Sequence, residues 1–329
     1  MGWLLTALAA ATLQVEGTPA AKLGTAIGPV ETRPTAEAAY APLAPGQTIP
    51  PGSWIRTPAR SKAVFECPDG TELRVDENTE LQLSVRRIEL AKGRFQIRVP
   101  DGPAFSIKTR FSPMEMTSGL VEISFRERAP DEPPEKTPGR TVTQITCLDG
   151  VISVVSRRYT QKLTPGYVCY LFDGQLNTPD PCEEPALASA WLHELLLARD
   201  PRHPEMRERF QTLLRLLGGT RFARAEEVVR ATGSNAAPYL AEHLKAPPGP
   251  LDTDRRRRAA TLLAELASAG AAADLVEILK DGDPEVRVRI AAGLERLAGA
   301  NLGFDAAYWR GSDTEKGRRA WQDWVRNRK

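Results

Sequence analysis

Cysteine, histidine and tryptophan are scarce in this chain of 329 residues, with four, three and six respectively. The cysteines, Cys67, Cys147, Cys169 and Cys182, form no C-x-x-C pair, which excludes a zinc ribbon, a thioredoxin-type dithiol and a disulfide-built scaffold. A single bridge such as Cys147 to Cys169 is compatible with an exported chain. The other reading makes all four small buried hydrophobes in strands. His193-Glu194 opens an H-E-x-x-H pattern, but Leu197 stands where the second histidine is needed, so no metal site is expected. Nucleophile-elbow, Walker and G-x-G-x-x-G motifs are missing too. Gly218, Gly219 and Gly233 sit where helix C-caps belong. No catalytic, cofactor-binding or metal-binding residue is assigned, and the chain is not read as an enzyme.

Charge of one sign is equally lacking. Forty-four Lys and Arg face 42 Asp and Glu, a net charge of +2. Residues 1–185 carry 20 basic and 22 acidic groups against 24 and 20 in the remainder. No polyanion held mainly by counterion release is expected, and nucleic acid is not an expected partner. Long hydrophobic runs are limited to residues 3–13 (WLLTALAAATL), too short to cross a bilayer alone and followed by small residues. Residues 1–21 are therefore expected to be a signal peptide or a truncated membrane anchor with its linker, a membrane tether in the second case. A buried first helix is the alternative.

What the chain does contain changes character near residue 182. From residue 22 to about 182, apolar positions alternate with polar ones, as strands require. Leu81, Leu83 and Val85 share one face of 79–85, and Phe95, Ile97 and Val99 alternate with Arg94, Gln96 and Arg98. Val121, Ile123 and Phe125 repeat the pattern. Asp-Gly pairs at 69–70, 101–102, 149–150 and 173–174 offer the positive φ of tight hairpins. Consecutive antiparallel strands with one apolar face must close on each other as a sandwich, roll or stacked β structure. Residues 128–140 (RAPDEPPEKTPGR), rich in proline and charge, are expected to be an exposed loop inserted between strands.

From Ala186 the period becomes helical, with a stripe of Leu187, Trp191, Leu195 and Leu196 and expected helices over 204–217, 221–231 and 236–245. An internal repeat follows. Residues 252–266 align without gaps to 283–297 at an offset of 31, and the helices before them, at 239–245 and 274–280, align at 35. Two helices per unit at this period imply an α-solenoid over residues 183–329. Asp283 is placed as N-cap and Pro284 at the first helical position, with Val286, Ile290, Leu294 and Leu297 turned inward.

Two family resemblances follow from these residues. The β part resembles the FecR domain through Gly24, Gly28 and Val30, then Leu43-x2-Gly46-Gln-Thr-Ile-x2-Gly52-Ser-Trp-Ile-Arg-Thr57 and the stretch 63–75. Ile88-Glu-Leu-x2-Gly93-Arg-Phe, strand 105–109, and Gly150-Val-Ile-Ser-Val-Val before Leu163-Thr-Pro-Gly166 continue it. That resemblance implies a β-rich extracytoplasmic module, periplasmic or membrane-anchored, with no catalytic motif. Its best-known members relay a signal to a sigma factor through a cytoplasmic segment, and no such segment is expected before Trp3 here.

The helical part resembles HEAT repeats through Asp283-Pro-Glu-Val-Arg287 and its weaker copy Asp252-Thr-Asp-Arg-Arg256, with an aromatic closing segment around Trp309, Trp321 and Trp324. The resemblance implies structural roles for Asp283, Arg287 and Arg256 in a ladder between repeats. Asp283 is expected to face Arg256 or Arg287. In the run 255–258, Arg255 and Arg258 are the candidates for a phosphate or anionic-lipid contact. Successive helical residues point about 100° apart, so the run makes no single strip.

Two functional classes are carried forward. One is a protein-binding scaffold or signal-relay component at the cell envelope, partnered by another protein. The other is a sensor that binds a cell-wall glycan or small ligand through the β domain. The first is favoured, because Trp309, Trp321 and Trp324 are three of the six tryptophans and leave the β domain poor in stacking platforms.

Overall fold

The computed structural model describes residues 18–128, 139–155, 160–182, 184–200, 202–249 and 252–327. The apolar run at 3–13 and most of the proline-rich insert at 128–140 lie outside the described residues. The chain divides into two compact units, one ending at Asp180 and the other beginning at Pro181.

The first unit contains β1 (Ala21–Ile27), β2 (Glu31–Arg33), β3 (Ala41–Pro42), β4 (Thr48–Ile49), β5 (Ser53–Thr57), β6 (Lys62–Glu66), β7 (Glu72–Val75) and β8 (Thr79–Ser84). It continues with β9 (Arg87–Val99), β10 (Phe105–Thr109), β11 (Pro113–Glu127), β12 (Thr141–Val155), β13 (Thr160–Leu163), β14 (Tyr167–Phe172), β15 (Gln175–Leu176) and β16 (Asp180–Pro181). All are joined in one hydrogen-bonded network.

Three strands, β9, β11 and β12, are much longer than the rest, and their two halves have different neighbours. The later half of β9 pairs with β7 and with the later half of β11, which pairs with the early half of β12 and through it with β14. The early half of β9 pairs instead with β8 and, in parallel, with β10. β10 leads to the early half of β11, then to the late half of β12 and to β13. One set of strands thus forms a first layer with β6, β1 and β4, the other a second layer with β5, β2 and β3, and the long strands belong to both.

Both layers aim into a single core. In β9 the buried apolar positions are Ile88 and Leu90 before Gly93, then Phe95, Ile97 and Val99 after it. Their spacing changes from even to odd numbers at the glycine. The same reset separates Met114 and Met116 from Val121 and Ile123 in β11, and Ile145 and Cys147 from Ile152 and Val154 in β12. Register shifts lie at these places, between Glu80 and Leu81 opposite β9 and around Gly119 in β11. An inserted residue bends a strand and restarts its alternation, so each half presents its apolar side chains to the same interior.

Glycine is required at the bends. Gly93 has φ +96°, and a Cβ there would lie 2.4 Å from the Thr79 Cα. Gly119 (φ +115°) and Gly150 (φ +73°) face each other across β11 and β12, and their Cβ atoms would meet backbone oxygens at 2.3 and 2.4 Å. Asp149-Gly150 is thus a bend inside a strand, not the hairpin turn expected from its sequence. Asp101-Gly102 precedes the parallel strand β10 and also closes no hairpin. Asp173-Gly174 does form a turn with positive φ at both residues, between β14 and β15. Val85, expected on the inner face with Leu81 and Leu83, is 57% exposed because β8 ends at Ser84 and Arg86 turns the chain with φ 52°.

All four cysteines are thiols. Cys169 lies opposite Ile145, and Cys147 opposite Tyr167, so the two cysteines are diagonal neighbours. Diagonal positions are roughly 7–8 Å apart, beyond the usual disulfide span. Burial pushes the Cys169 thiol up to about 12.

The second unit contains α1 (Pro185–Ala188), α2 (Leu192–Arg199), α3 (Pro204–Leu217), α4 (Phe222–Thr232), α5 (Ala237–Lys245) and α6 (Thr253–Leu266). These are followed by α7 (Ala272–Ile278), α8 (Pro284–Ala298), α9 (Ala306–Arg310) and α10 (Glu315–Asn327). Among the described residues no helix is long and apolar enough to cross a membrane. α5 packs on α6 and α7 on α8, while α6 adjoins α8 and α5 adjoins α7. Val286, Ile290 and Leu294 are buried as expected, whereas Leu297 is only half-buried. Gly293 lets α8 approach α6 closely, since a Cβ there would lie 2.8 Å from the Ala264 Cα. At the far end Trp309 and Trp321 are buried, and the Tyr308 hydroxyl accepts from the Gly317 N–H at 2.8 Å.

Close packing at the β9 corner should separate two glycines of similar φ. Gly46, at +89°, has nothing within 4 Å of its Cβ position. Gly46→Ala should cost about 1 kcal/mol from backbone strain alone, and Gly93→Ala about 3 kcal/mol because the contact with Thr79 is added. Denaturant titration of the full chain measures both, and equal losses would show that the β9 corner is not close-packed.

Candidate interaction surface

The residues singled out in the repeat lie at helix starts, where unsatisfied N–H groups and the carbonyl ends of neighbouring helices must both be matched. Asp283 has extended backbone, and its carboxylate accepts from the Glu285 N–H at 2.9 Å, with Pro284 at the first helical position. Its guanidinium partner is Arg257, at 2.7 Å, in place of the expected Arg256 or Arg287. Those two arginines turn inward and are taken up by carbonyls, whereas Arg257, one residue further round α6, reaches the start of α8.

Arg256 is 3% exposed. It donates to the carbonyls of His243, Leu244 and Ala246 at 3.2, 2.6 and 2.9 Å, closing the end of α5, and also to the Asp281 carboxylate. Arg287, its counterpart in the aligned repeat, donates to the carbonyls of Asp281 and Trp309 at 2.7 and 2.9 Å and of Gly311 at 2.8 Å. The two arginines thus share one equivalent acceptor, Ala246 O for Arg256 and Asp281 O for Arg287, and each ties consecutive helices through its remaining bonds. Exposed lone pairs at helix ends are costly when buried, so these contacts are structural.

Arg255 and Arg258 do not share a site. Arg255 lies 3.2 Å from Asp252, while Arg258 lies 3.3 Å from Glu226 with its guanidinium 3.4 Å above the Phe222 ring. Further cross-helix pairs continue along this side of the unit. Arg230 meets Glu265 at 3.0 Å, Arg289 donates to Thr261 at 3.1 Å and Arg310 meets Glu285 at 2.7 Å. The carboxylates of Glu226, Asp252, Glu265 and Glu285 are each paired with an arginine, so the face formed by α4, α6, α8 and α9 is polar and largely matched. Sequence spacing alone missed Arg257 and Arg289, because their partners are adjacent only after the helices stack.

On the second layer of the β unit, the side chains of β2, β5 and β8 that point away from the core form another matched cluster. The Arg33 guanidinium lies 4.5 Å from the Tyr40 ring and 5.3 Å from the Trp54 ring, and that of Arg56 lies 4.1 Å from Tyr40. Glu80 accepts from Arg33 at 3.1 Å and from the Tyr40 hydroxyl at 2.8 Å. Burial, reinforced by Glu80, pushes that hydroxyl up to about 12. These aromatic faces are occupied by guanidinium groups and do not form a bare row for sugar stacking.

The described residues also line two open clefts. One, of about 690 Å³, sits at the β9 corner among Asn78, Lys92, Gly93, Arg94, Phe125 and Arg126. The other, of about 670 Å³, lies between α3 and α5 among Pro204, Arg207, Pro238, Tyr239 and Glu242, with Tyr239 stacked on Phe210 at 4.4 Å. Among the described residues no group of three metal-ligating side chains converges.

The buried ion pair and a buried histidine generate predictions. Asp281→Asn leaves Arg256 without its charge partner and should cost about 3 kcal/mol. Asp283→Asn keeps a capping oxygen beside an exposed arginine and should cost less than about 1 kcal/mol. Thermal unfolding of the helical signal compares them, and equal shifts would contradict the burial assignment.

His193 is buried with its Nδ1 3.0 Å from the Thr232 hydroxyl, and burial, aided by Arg209, pushes its pKa down to about 4. Between about pH 6.5 and 4 the unfolded chain takes up a proton that the folded chain refuses. Stability should therefore fall with acidification, by about 3 kcal/mol at the end of that window. The stability curve of His193→Gln should be flatter there. Parallel curves would refute the assignment.

Residues 53–153, from β5 into β12, match the family model described as FecR protein. No curated protein matches the chain. Two crystal structures of a candidate anti-sigma factor from Parabacteroides distasonis, at 1.65 and 2.50 Å, are similar at 16% and 17% identity, each with a TM-score of 0.35. The alignment covers 43% of this chain and 64% of theirs, so the chain spans under two thirds of those proteins' length. The FecR match falls on the strands that carry the glycine corners Gly93, Gly119 and Gly150, so this part of the β unit is similar to that family.

Proposed function

We propose that this chain is a non-catalytic, protein-binding component of the cell envelope. In it a FecR-like β unit and a HEAT-type helical array serve as a scaffold or as part of a signal relay. The FecR match over residues 53–153 carries the reading. In that family the module works outside the cytoplasm through contacts with other proteins, and the apolar run at 3–13 suits an export signal or tether. The repeat that aligns 252–266 with 283–297, in which Arg256 and Arg287 donate to the aligned carbonyls of Ala246 and Asp281, supports the helical-array part. The matched ion pairs favour a protein partner over a polyanion, because no row of uncompensated cations is offered on the α4–α6–α8 face. The guanidinium-covered aromatics of the β face give no support to glycan stacking.

Localisation and partnership are tested together. An export-dependent reporter fused after Lys329 should be active in a bacterial host. A photocrosslinking residue at the exposed Ala292 or Lys92 should give a discrete protein adduct in the envelope fraction. A reporter active only in its cytoplasmic form, with no adduct from either position, would overturn the proposal.

A further inference from the structure

Three residues occupy equivalent N-terminal positions in the helical unit, and one of them behaves differently. His203 before α3 and Asp283 before α8 each accept a hydrogen bond from a backbone N–H two residues on, at 3.3 and 2.9 Å. Asp252 before α6 makes no such cap bond. Its backbone is helical (φ −100°, ψ −6°) where that of Asp283 is extended.

Asp252 is 8% exposed, and its carboxylate lies beside His243 near the end of α5. One oxygen lies 3.2 Å from an Arg255 nitrogen, and the other lies 3.9 Å from His243 Nε2. His243 Nε2 is itself buried and has no hydrogen-bond partner. A buried carboxylate diverted from capping and facing an unsatisfied imidazole nitrogen is a costly arrangement unless the two groups act together.

We propose that His243 and Asp252 form a proton-operated clasp across the turn joining α5 to α6. When the ring takes up a proton, Nε2 becomes a charged donor facing Asp252 Oδ2. The pair can then shorten into a charge-assisted hydrogen bond that fastens the end of α5 to the start of α6. With the ring neutral the two groups stay beyond hydrogen-bond distance, and Arg256 still ties the start of α6 to the carbonyls at the end of α5.

The surrounding charges set the range of action. Arg255 and Arg256 on α6 oppose protonation of His243, as does burial, which is the largest effect, while Asp252 favours it. The other charged groups on neighbouring helices are engaged elsewhere. Lys245 holds Asp274 and Glu277 on α7, Arg207 on α3 holds Glu242, and Asp281 holds Arg256. The clasp therefore closes below the ordinary histidine range, on the acid side of pH 6.5, and opens as pH rises. An envelope protein would meet such acidity directly, but the geometry does not depend on location.

The chain has three histidines, so labelling the full protein with ring-¹³C histidine gives three signals, assignable by single substitutions. The His243 signal should titrate, and the backbone amide of Arg255, on the first turn of α6, should shift with the same midpoint. In Asp252→Asn the His243 midpoint should drop by roughly half to one pH unit, because the favouring charge is gone. In His243→Gln the Arg255 amide should stop responding over that range. The amide response of the unaltered protein tests the clasp without any variant. The proposal is overturned by an Arg255 amide that ignores the His243 titration, or by an unchanged His243 midpoint in a folded Asp252→Asn protein.

Discussion

A sheet that must cover its own core has to turn over without breaking its ladder of hydrogen bonds, and in the β unit this happens at Gly93, Gly119 and Gly150. Each lies within one of the three strands shared by both layers, at positive φ and in near contact with the facing backbone. A side chain at any of them would strain the bend and push the crossing strands apart. Because the alternation restarts at each corner, Phe95, Val121 and Ile152 enter the same interior as Ile88, Met114 and Ile145. Moving one corner by a residue would turn half a strand inside out. The pairing of β8, β10 and β13 in one layer and of β7 and β14 in the other depends on these positions.

The helical unit meets a different constraint. Short helices leave many carbonyls unsatisfied at their ends, and close stacking denies those groups water. Arg256 and Arg287 resolve this with planar, multi-donor guanidinium groups that reach two chain segments at once, which lysine could not do with equal fixity. Their neighbours on the surface contribute little individually, since exposed ion pairs are worth at most about 1 kcal/mol each. What the surface pairs provide is a defined arrangement of charges in which few cations are left for a nonspecific anion.

Much of this was legible in the amino-acid sequence, and the failures have physical causes. The strand period, the helix period, the cap at Asp283 and the repeat of 252–266 in 283–297 are local patterns, and local patterns survive in one dimension. The parity change within 88–99, 114–125 and 145–154 was also present in the sequence, as a mismatch between successive alternating runs. Asp149-Gly150 misled because the same dipeptide chemistry serves a hairpin turn and a strand bend; only the pairing of Gly119 with Gly150 separates the two. Among candidate interaction residues, the pairing of Asp283 with Arg257 was not legible. Four consecutive arginines are equivalent in composition, and only the rotation of α6 against α8 decides which faces inward.

The same rotation bears on how the unit could recognise a partner. Within residues 255–258, one guanidinium is buried against carbonyls, one bridges to the next helix, one stacks on Phe222 and one leans on Asp252. A run that reads as a basic patch in sequence is thus dispersed into four separate environments. A partner that docks on this side meets alternating charges at fixed spacing, so misaligned docking would place like charges opposite each other and correctly aligned docking would not. Selectivity of that kind comes from position and not from net charge, which fits a chain whose overall charge is only +2.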